Sequence, residues 1–154
     1  MATAKRIDPL VNTRFEIEMS QKNDKYVPFG IFSEFTGLSA EVEVLLIEEG
    51  GCNGYIHKLP VRTKFSDITL KRGIIPEDNQ DALWKWLEAV INGKFQRKNV
   101  SVVLYDASGE WRRRWNFENA YPVKWEGPTL KADDRVITME TLVLAHEGMK
   151  MVSR

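Results

Sequence analysis

Cysteine is all but missing: Cys52 stands alone in 154 residues. A single thiol excludes an intrachain disulfide and a multi-cysteine zinc site, and it fits a reducing compartment. Charge imbalance is missing too, because 22 Lys+Arg face 22 Asp+Glu. Nucleic-acid-binding domains usually carry a basic excess, so that class is disfavoured. Zero net charge also removes the repulsion that keeps copies apart, which favours association. No apolar run approaches the ~20 residues of a membrane span. The opening "MATAKRIDPL" has no apolar core of the length a signal peptide needs, so synthesis in the cytoplasm without a membrane anchor is expected. Histidine is scarce, with His57 and His146 the only two. Neither has metal-binding spacing, and no nucleophile elbow, phosphate loop or dinucleotide fingerprint occurs. No cofactor, metal or catalytic residue is therefore expected.

What is present is period-two alternation. In "RFEIEM", Phe15, Ile17 and Met19 alternate with Arg14, Glu16 and Glu18, the pattern of a half-buried strand. From Leu38 to Ile47, Leu38, Ala40, Val42, Val44 and Leu46 share one face while Ser39, Glu41 and Glu43 share the other. From Leu45 the second face turns apolar as well, which predicts partial cover on both sides. "KFSDITLKRG" places Ile68 and Leu70 opposite Asp67, Thr69 and Lys71. "NVSVVLYD" is dense enough in apolar residues for a central strand, and "DASG" after it is a turn. "EWRRRWNFENAYPVKW" puts Trp111, Arg113, Trp115 and Phe117 against Arg112, Arg114 and Asn116. Arg135 to His146 reads as a long last strand.

One segment has a period of 3.6. Leu83, Trp86, Leu87, Val90 and Ile91 form a stripe that predicts an amphipathic helix over about 78–92. Pro76 precedes it, Asp78 or Asn79 is its cap, and Asn92-Gly93 is its left-handed stop. The fold class is mainly β: an antiparallel sandwich or barrel of seven or eight strands, with this helix closing one side and a long loop or protruding hairpin at about 50–61. No change of composition divides the chain, so residues 1–154 read as one domain.

Glu41 and Glu43 stand ~6.6 Å apart along a strand, within the rough spacing of inverting glycosidase carboxylates. Those carboxylates flank a bond from opposite sides, whereas strand neighbours point the same way. The pair reads as a solvated face. Arg112-Arg113-Arg114 between Trp111 and Trp115 has the make-up of a stacking platform for single-stranded nucleic acid. The alternation also lets glutamates of a neighbouring strand pair with Arg112 and Arg114. Five tryptophans, with Trp84 and Trp86 on different flanks of the helix, leave apolar surface for a partner.

The ordered series "FSEFTGLSAEVEV", "HKLPVRTKFSDITLKRGI", "LWKWLEAV", "RKNVSVVLYDASGEWRRRWNFENAYPVKW" and "ITMETLVLAHEGM" resembles the tail-tube proteins of contractile phages. It is similar above all to the inner-tube proteins of extracellular contractile injection systems, and the likeness runs from about Asp8 to Met151. The Hcp proteins of type VI secretion share that family's fold. The resemblance implies a non-enzymatic structural subunit without cofactor. Six copies would form a ring, and rings would stack into a hollow tube inside a contractile sheath. Baseplate, spike and tube-terminating proteins would join it, and cargo would travel in the lumen. It implies a phage tail or phage-tail-like particle, with no specific nucleic acid as partner. The candidate ring-stacking segment is Glu48, Glu49, Gly50, Gly51, Cys52, Asn53, Gly54, Tyr55, Ile56, His57 and Lys58. Glu41, Glu43, Asp67, Thr69, Lys71, Arg112 and Arg114 are candidates for a luminal or inter-subunit polar face. The alternatives are a monomeric β-barrel ligand binder and a single-strand nucleic-acid module.

Overall fold

The computed structural model describes residues 9–11, 14–20, 25–51, 53–74, 81–133 and 135–154. Among them the chain runs β1 (Arg14–Ser20), β2 (Tyr26–Gly30), β3 (Glu34–Thr36), β4 (Ala40–Ile47), β5 (His57–Phe65), β6 (Ile68–Gly73), α1 (Asp81–Ile91), β7 (Lys98–Tyr105), β8 (Trp111–Glu126), β9 (Met139–Ala145) and β10 (Gly148–Ser153). All pairings are antiparallel. The main sheet follows the path β2-β1-β7-β8-β9-β6-β3, with β10 also on β8, while β4 and β5 pair only with each other.

The organising element is a long ribbon. β8 spans 16 residues. β9 and β10 lie end to end along one of its edges, from Glu126 opposite Thr141, through Tyr121 opposite Ala145, to Arg113 opposite Ser153. His146 and Glu147 interrupt the return strand, and there the Glu147 amide donates to the Glu118 carbonyl at 2.9 Å. Opposite that break Asn119 takes φ 53, a left-handed conformation that asparagine tolerates better than most residues. The first half of β8 pairs with β7 and the second half does not pair beyond Ala120. One strand thus serves both limbs of the sheet.

The sheet curls. Phe35, from β3 at one end of the path, packs its ring 5.8 Å from that of Phe117 in β8. Phe35 also lines one cavity together with Phe15 of β1 and Leu104 of β7. Inside the curl the alternation delivers one face of each strand. Ile17, Val100, Val102, Phe117, Ile68, Leu70, Leu142 and Leu144 are all at most 3% exposed and form one cluster. In the last long strand the buried set is the even one. At its end Glu140 replaces an apolar residue and meets buried Arg72, its cross-strand partner. The Trp125 indole donates to the second Glu140 oxygen at 3.0 Å. Losing one member of such a pair leaves a stranded charge, at a cost of about 3–5 kcal/mol.

Helix α1 buries Leu83 and Trp86 against the core. Trp86 meets the Phe29 ring edge-on at 5.9 Å, and its indole donates to the Gln96 carbonyl at 3.0 Å. The stop at Asn92-Gly93 is as expected: Gly93 has φ 77, its amide reaches Val90 O at 3.1 Å, and the Lys94 amide reaches Ala89 O at 2.8 Å. Two bonds of that pattern close a helix end. The start differs in extent, since Pro76, Asp78 and Asn79 lie outside the described residues. Ile91, placed on the buried stripe by periodicity, is 67% exposed and is the last residue of the helix.

Four other expectations are corrected. The last strand does not begin at Arg135: residues 127–133 and 135–138 lie outside any strand, Val136 and Ile137 are exposed, and β9 starts at Met139. A second piece, β10, follows it. β2 and β3 are also strands, short ones at the sheet's ends, and Pro28 is tolerated in β2 because that strand is an edge. The irregular segment 50–61 is shorter, since β5 is already paired from His57. Finally, β4 has no buried face, because no other part of the described chain lies on it.

The hairpin springs from Gly37, which has φ +107, and a Cβ built there would fall 2.3 Å from the Asp67 carbonyl oxygen. Gly37→Ala combines a left-handed backbone with a backbone clash. It should lower stability by at least about 2 kcal/mol, read as the urea midpoint. An unchanged midpoint would refute this close approach.

Candidate functional site

The feature that sets this chain apart from a self-sufficient barrel is the β4–β5 arm. Its register runs from Ala40 opposite Phe65 to Ile47 opposite His57, with an irregularity after Glu43 that leaves Val61 as the extra residue. Near the base, one face carries Glu41 and Glu43 opposite Lys64 and Arg62, and Lys64 lies 3.5 Å from Glu43. Beyond the bulge that same face becomes Leu45, Ile47 and Leu59. The other face carries Val42, Val44 and Leu46. Val42, Leu45, Leu46 and Leu59 are each 48–58% exposed. A two-stranded ribbon is marginal in water, and apolar residues on both its faces call for cover.

The root of the arm is held firmly. The Phe65 ring lies 5.7 Å from that of His146, which also meets Phe117 edge-on at 4.9 Å. The His146 ring nitrogens lie 2.9 Å from Ser66 O and 3.1 Å from Gly148 O. The break between β9 and β10 therefore clasps the turn that returns the arm to the core. At the tip, His57 approaches Glu49 at 3.4 Å and meets Tyr55 edge-on at 5.0 Å. Gly50, Gly51 and Gly54 have open space around them. The predicted stacking residues Glu48 to Lys58 thus fall together on the tip, except Cys52, which lies outside the described residues.

The predicted polar face is not one surface. Glu41 and Glu43 belong to the arm, and Asp67 to the β5–β6 turn. Thr69 and Lys71 lie on the outside of the β3–β6–β9 limb, where Lys71 meets Glu34 at 3.3 Å and Lys124 meets Glu126 at 2.6 Å. The Lys124 ammonium holds the Glu126 carboxyl below its ordinary range. Arg112 and Arg114 lie on the β1–β7–β8 limb. Arg114 reaches over β7 to donate to Glu18 of β1 at 2.6 Å, donates to Asn116 at 3.0 Å, and sits 5.0 Å from the Tyr26 ring centre. Glu16 pairs with Arg14 and accepts from the Tyr105 hydroxyl at 3.0 Å. Burial, then Glu16, pushes the Tyr105 phenol up. Lys150 bonds Glu118 at 2.6 Å, which raises its ammonium. Arg114 finds a glutamate partner in Glu18, which lies not on the neighbouring strand β7 but beyond it on β1. Arg112 instead turns to Asp106 at 2.6 Å.

These surfaces are ion-paired. Among the described residues no group of three or more His, Cys, Asp or Glu is placed to hold a metal ion. The buried Arg72–Glu140–Trp125 cluster escaped the sequence reading. Its signal was Arg72 in phase with Ile68 and Leu70, and Glu140 in phase with Leu142 and Leu144.

The described residues thus form a curled antiparallel sheet with one helix packed on it and an apolar arm that they leave uncovered. The chain belongs to the family described as T4-like virus tail tube protein gp19, whose model matches residues 11–150. It is a structural tube subunit of the kind that phage tails and contractile injection systems use. Its structure is similar to a chain in the cryo-EM structure of the anti-feeding prophage baseplate, at 26% identity and TM-score 0.83, covering 96% of this chain and 98% of that one. It is also similar to a chain of the sheath–tube complex of the extracellular contractile injection system PVC in its extended state, at 22% identity and TM-score 0.78, covering 95% and 93%. An Hcp protein has the same fold at 10% identity and TM-score 0.52, covering 91% and 99%. No curated protein sequence matches this chain.

Asp106 gives a pH test of the surface network. Ser108 and then Arg112 bond its carboxyl, with the amides of Glu110 and Ser108 adding to them, and hold it far below the ordinary carboxylate range. A depressed carboxylate contributes stability above its unfolded value, and that contribution is lost as pH falls through the folded value. The Asp106 carboxyl should therefore still be ionised at about pH 3, below the ~3.9 of a free aspartate. Carboxyl carbon NMR shifts would show it, and a midpoint near 3.9 would contradict the bonding described.

Proposed function

We propose that residues 1–154 act as one non-enzymatic tail-tube domain. Six copies form a ring, and rings stack into a hollow tube that a contractile sheath drives through a target envelope. The observation that carries the reading is the arm, with apolar residues on both faces and no cover from the described residues of its own chain. A head-to-tail arrangement of identical copies supplies such cover and repeats along an axis. We assign the tip, Glu48 to Lys58, to contacts between rings.

The two outer sheet faces, carrying Thr69 and Lys71 on one limb and Arg112 and Arg114 on the other, are the candidates for the lumen and for contacts between neighbours. Both are polar with charges already paired internally, so either would offer a passing cargo few free charges to stick to. Membership of the tube family, together with likeness to chains from a baseplate and a sheath–tube complex, supports baseplate, sheath and terminating proteins as partners in a phage-tail-like particle. The pairing of Arg112 and Arg114 with Asp106 and Glu18 leaves little for a nucleic-acid platform to use.

Light scattering and negative-stain imaging of one purified fraction test this. Six-membered rings or hollow tubes are expected. A chain that stays at its 17.8 kDa mass across concentration and salt, without rings or tubes, contradicts the reading. Deleting Gly51 to Ile56 should leave the circular dichroism and melting of the barrel intact but abolish stacking, and long tubes from the shortened chain would show that the tip is not the stacking element.

A further inference from the structure

The chain holds two Asn-Gly dipeptides, Asn53-Gly54 and Asn92-Gly93. In this dipeptide an asparagine side chain is most open to attack by the next main-chain nitrogen. Glycine has no Cβ to shield that nitrogen, and it lets the backbone swing into line. The structure puts the two dipeptides in opposite settings. Asn92-Gly93 closes α1. The Asn92 amide donates to Glu88 O at 2.9 Å, the Gly93 amide to Val90 O at 3.1 Å, and the Lys94 amide to Ala89 O at 2.8 Å. Gly93 is set at φ 77, and the helix that carries it is anchored by buried Leu83 and Trp86. The Gly93 nitrogen cannot turn on the Asn92 side chain until that cap opens.

Asn53-Gly54 lies at the arm tip, between β4 and β5 and outside both strands, and both residues are exposed. Among the described residues, neither the Gly54 amide nor the Asn53 side chain has a hydrogen-bond partner. A Cβ built on Gly54 would meet nothing within 4 Å. No cap, strand or neighbour among the described residues holds the Gly54 nitrogen away from the Asn53 carboxamide.

We propose that Asn53 is a self-modifying site, a chemical timer on the unassembled chain. The Gly54 nitrogen gives its proton to solvent and bonds to Asn53 Cγ, and the side-chain nitrogen takes up a proton and leaves as ammonia. The product is a five-membered cyclic imide. Water then adds to one of its two carbonyls and breaks that carbonyl's bond to nitrogen. Opening at Cγ leaves aspartate, and opening at the main-chain carbonyl leaves isoaspartate. One water enters, one ammonia departs, nothing is oxidised or reduced, and the tip gains a carboxylate. The tip already carries Glu48 and Glu49, the latter 3.4 Å from His57. The consequence rests on the tube reading above, in which the tip meets another ring. There the new charge has to be desolvated beside two glutamates, which is costly, and isoaspartate lengthens the main chain by a methylene. A tip in contact is closed to water. The reaction therefore runs in the dispersed chain and halts in the tube, and it limits how long a free copy stays able to stack.

The test holds the full chain dispersed in warm, mildly alkaline buffer, beside a sample held as tubes. Peptide mass spectrometry reads the mass gained as carboxamide becomes carboxylate at Asn53 and at Asn92, and an isoaspartyl methyltransferase assay scores the isoaspartate. Conversion of Asn53 in the dispersed chain should be at least about tenfold faster than that of Asn92, whose bonded cap has to open first, and at least about tenfold faster than that of Asn53 in tubes. Gly54 has no positive φ, so Gly54→Ala should slow the Asn53 reaction and leave the melting unchanged. Asn53→Asp should lower the yield of tubes, whereas Asn53→Gln, which stays neutral, should not. Equal rates at the two asparagines, or no conversion of Asn53, overturn the site. Equal conversion in dispersed chain and tubes, or a normal tube yield from Asn53→Asp, overturns the timer. Failure of the unmodified chain to form tubes sinks the tube reading and the timer with it, while the comparison of Asn53 with Asn92 still decides the site.

Discussion

A two-stranded ribbon in water has one layer of hydrogen bonds and no third strand or opposing layer to bury its side chains. The β4–β5 arm is such a ribbon, and it carries Val42, Val44 and Leu46 on one face and Leu45, Ile47 and Leu59 on the other. The hydrophobic effect penalises this arrangement in an isolated chain and rewards it once another surface lies on it. The rest of the molecule is organised around holding the arm out. Gly37 gives it a root that no side chain would allow. His146 clasps its returning turn against the core through Ser66 and Phe65. The core itself is secured by the long ribbon of β8 with β9 and β10, which bends at Asn119 and serves both limbs of the sheet.

The outer faces of the curled sheet are tied strand to strand by charge pairs. Arg114 bridges from β8 over β7 to β1, and Lys71 joins β6 to β3. Exposed pairs of this kind contribute little individually to stability. Their value here is geometric, because they register neighbouring strands and leave a hydrated surface with its charges matched. The buried pair Arg72–Glu140 is different. It sits where the core meets α1 and Trp125, and its bonds hold the end of the barrel in one arrangement.

Much of this was legible in the residues. Alternation located the cores of β1, β4, β6, β7 and β8, because in each of those strands at least one face has a uniform character over several residues. The 3.6 period located α1, and Asn92-Gly93 its end. The family likeness was carried by ordered motifs over nearly the whole chain. Three kinds of feature were hidden. β2 and β3 are too short to show a period, and Pro28 reads as a breaker although an edge strand accepts it. β10 continues β9 only through pairing with β8, which local pattern does not report. The cover of β4 was misjudged because apolar residues on both faces look the same in sequence whether the same chain or another one covers them. For the same reason the candidate polar residues looked like one face and proved to be distributed over the arm, a turn and two limbs of the sheet.

The arm, bare among the described residues, is proposed to be covered in the assembly. Hydrogen–deuterium exchange of the β4 and β5 amides, compared between dispersed chain and assembled tubes, tests it most directly. Fast exchange is expected over 40–47 and 57–65 in the dispersed chain, beside slow exchange in β7 and β8, with strong protection of the arm in tubes. Protection of the arm in the dispersed chain, or its continued fast exchange in tubes, would contradict the claim.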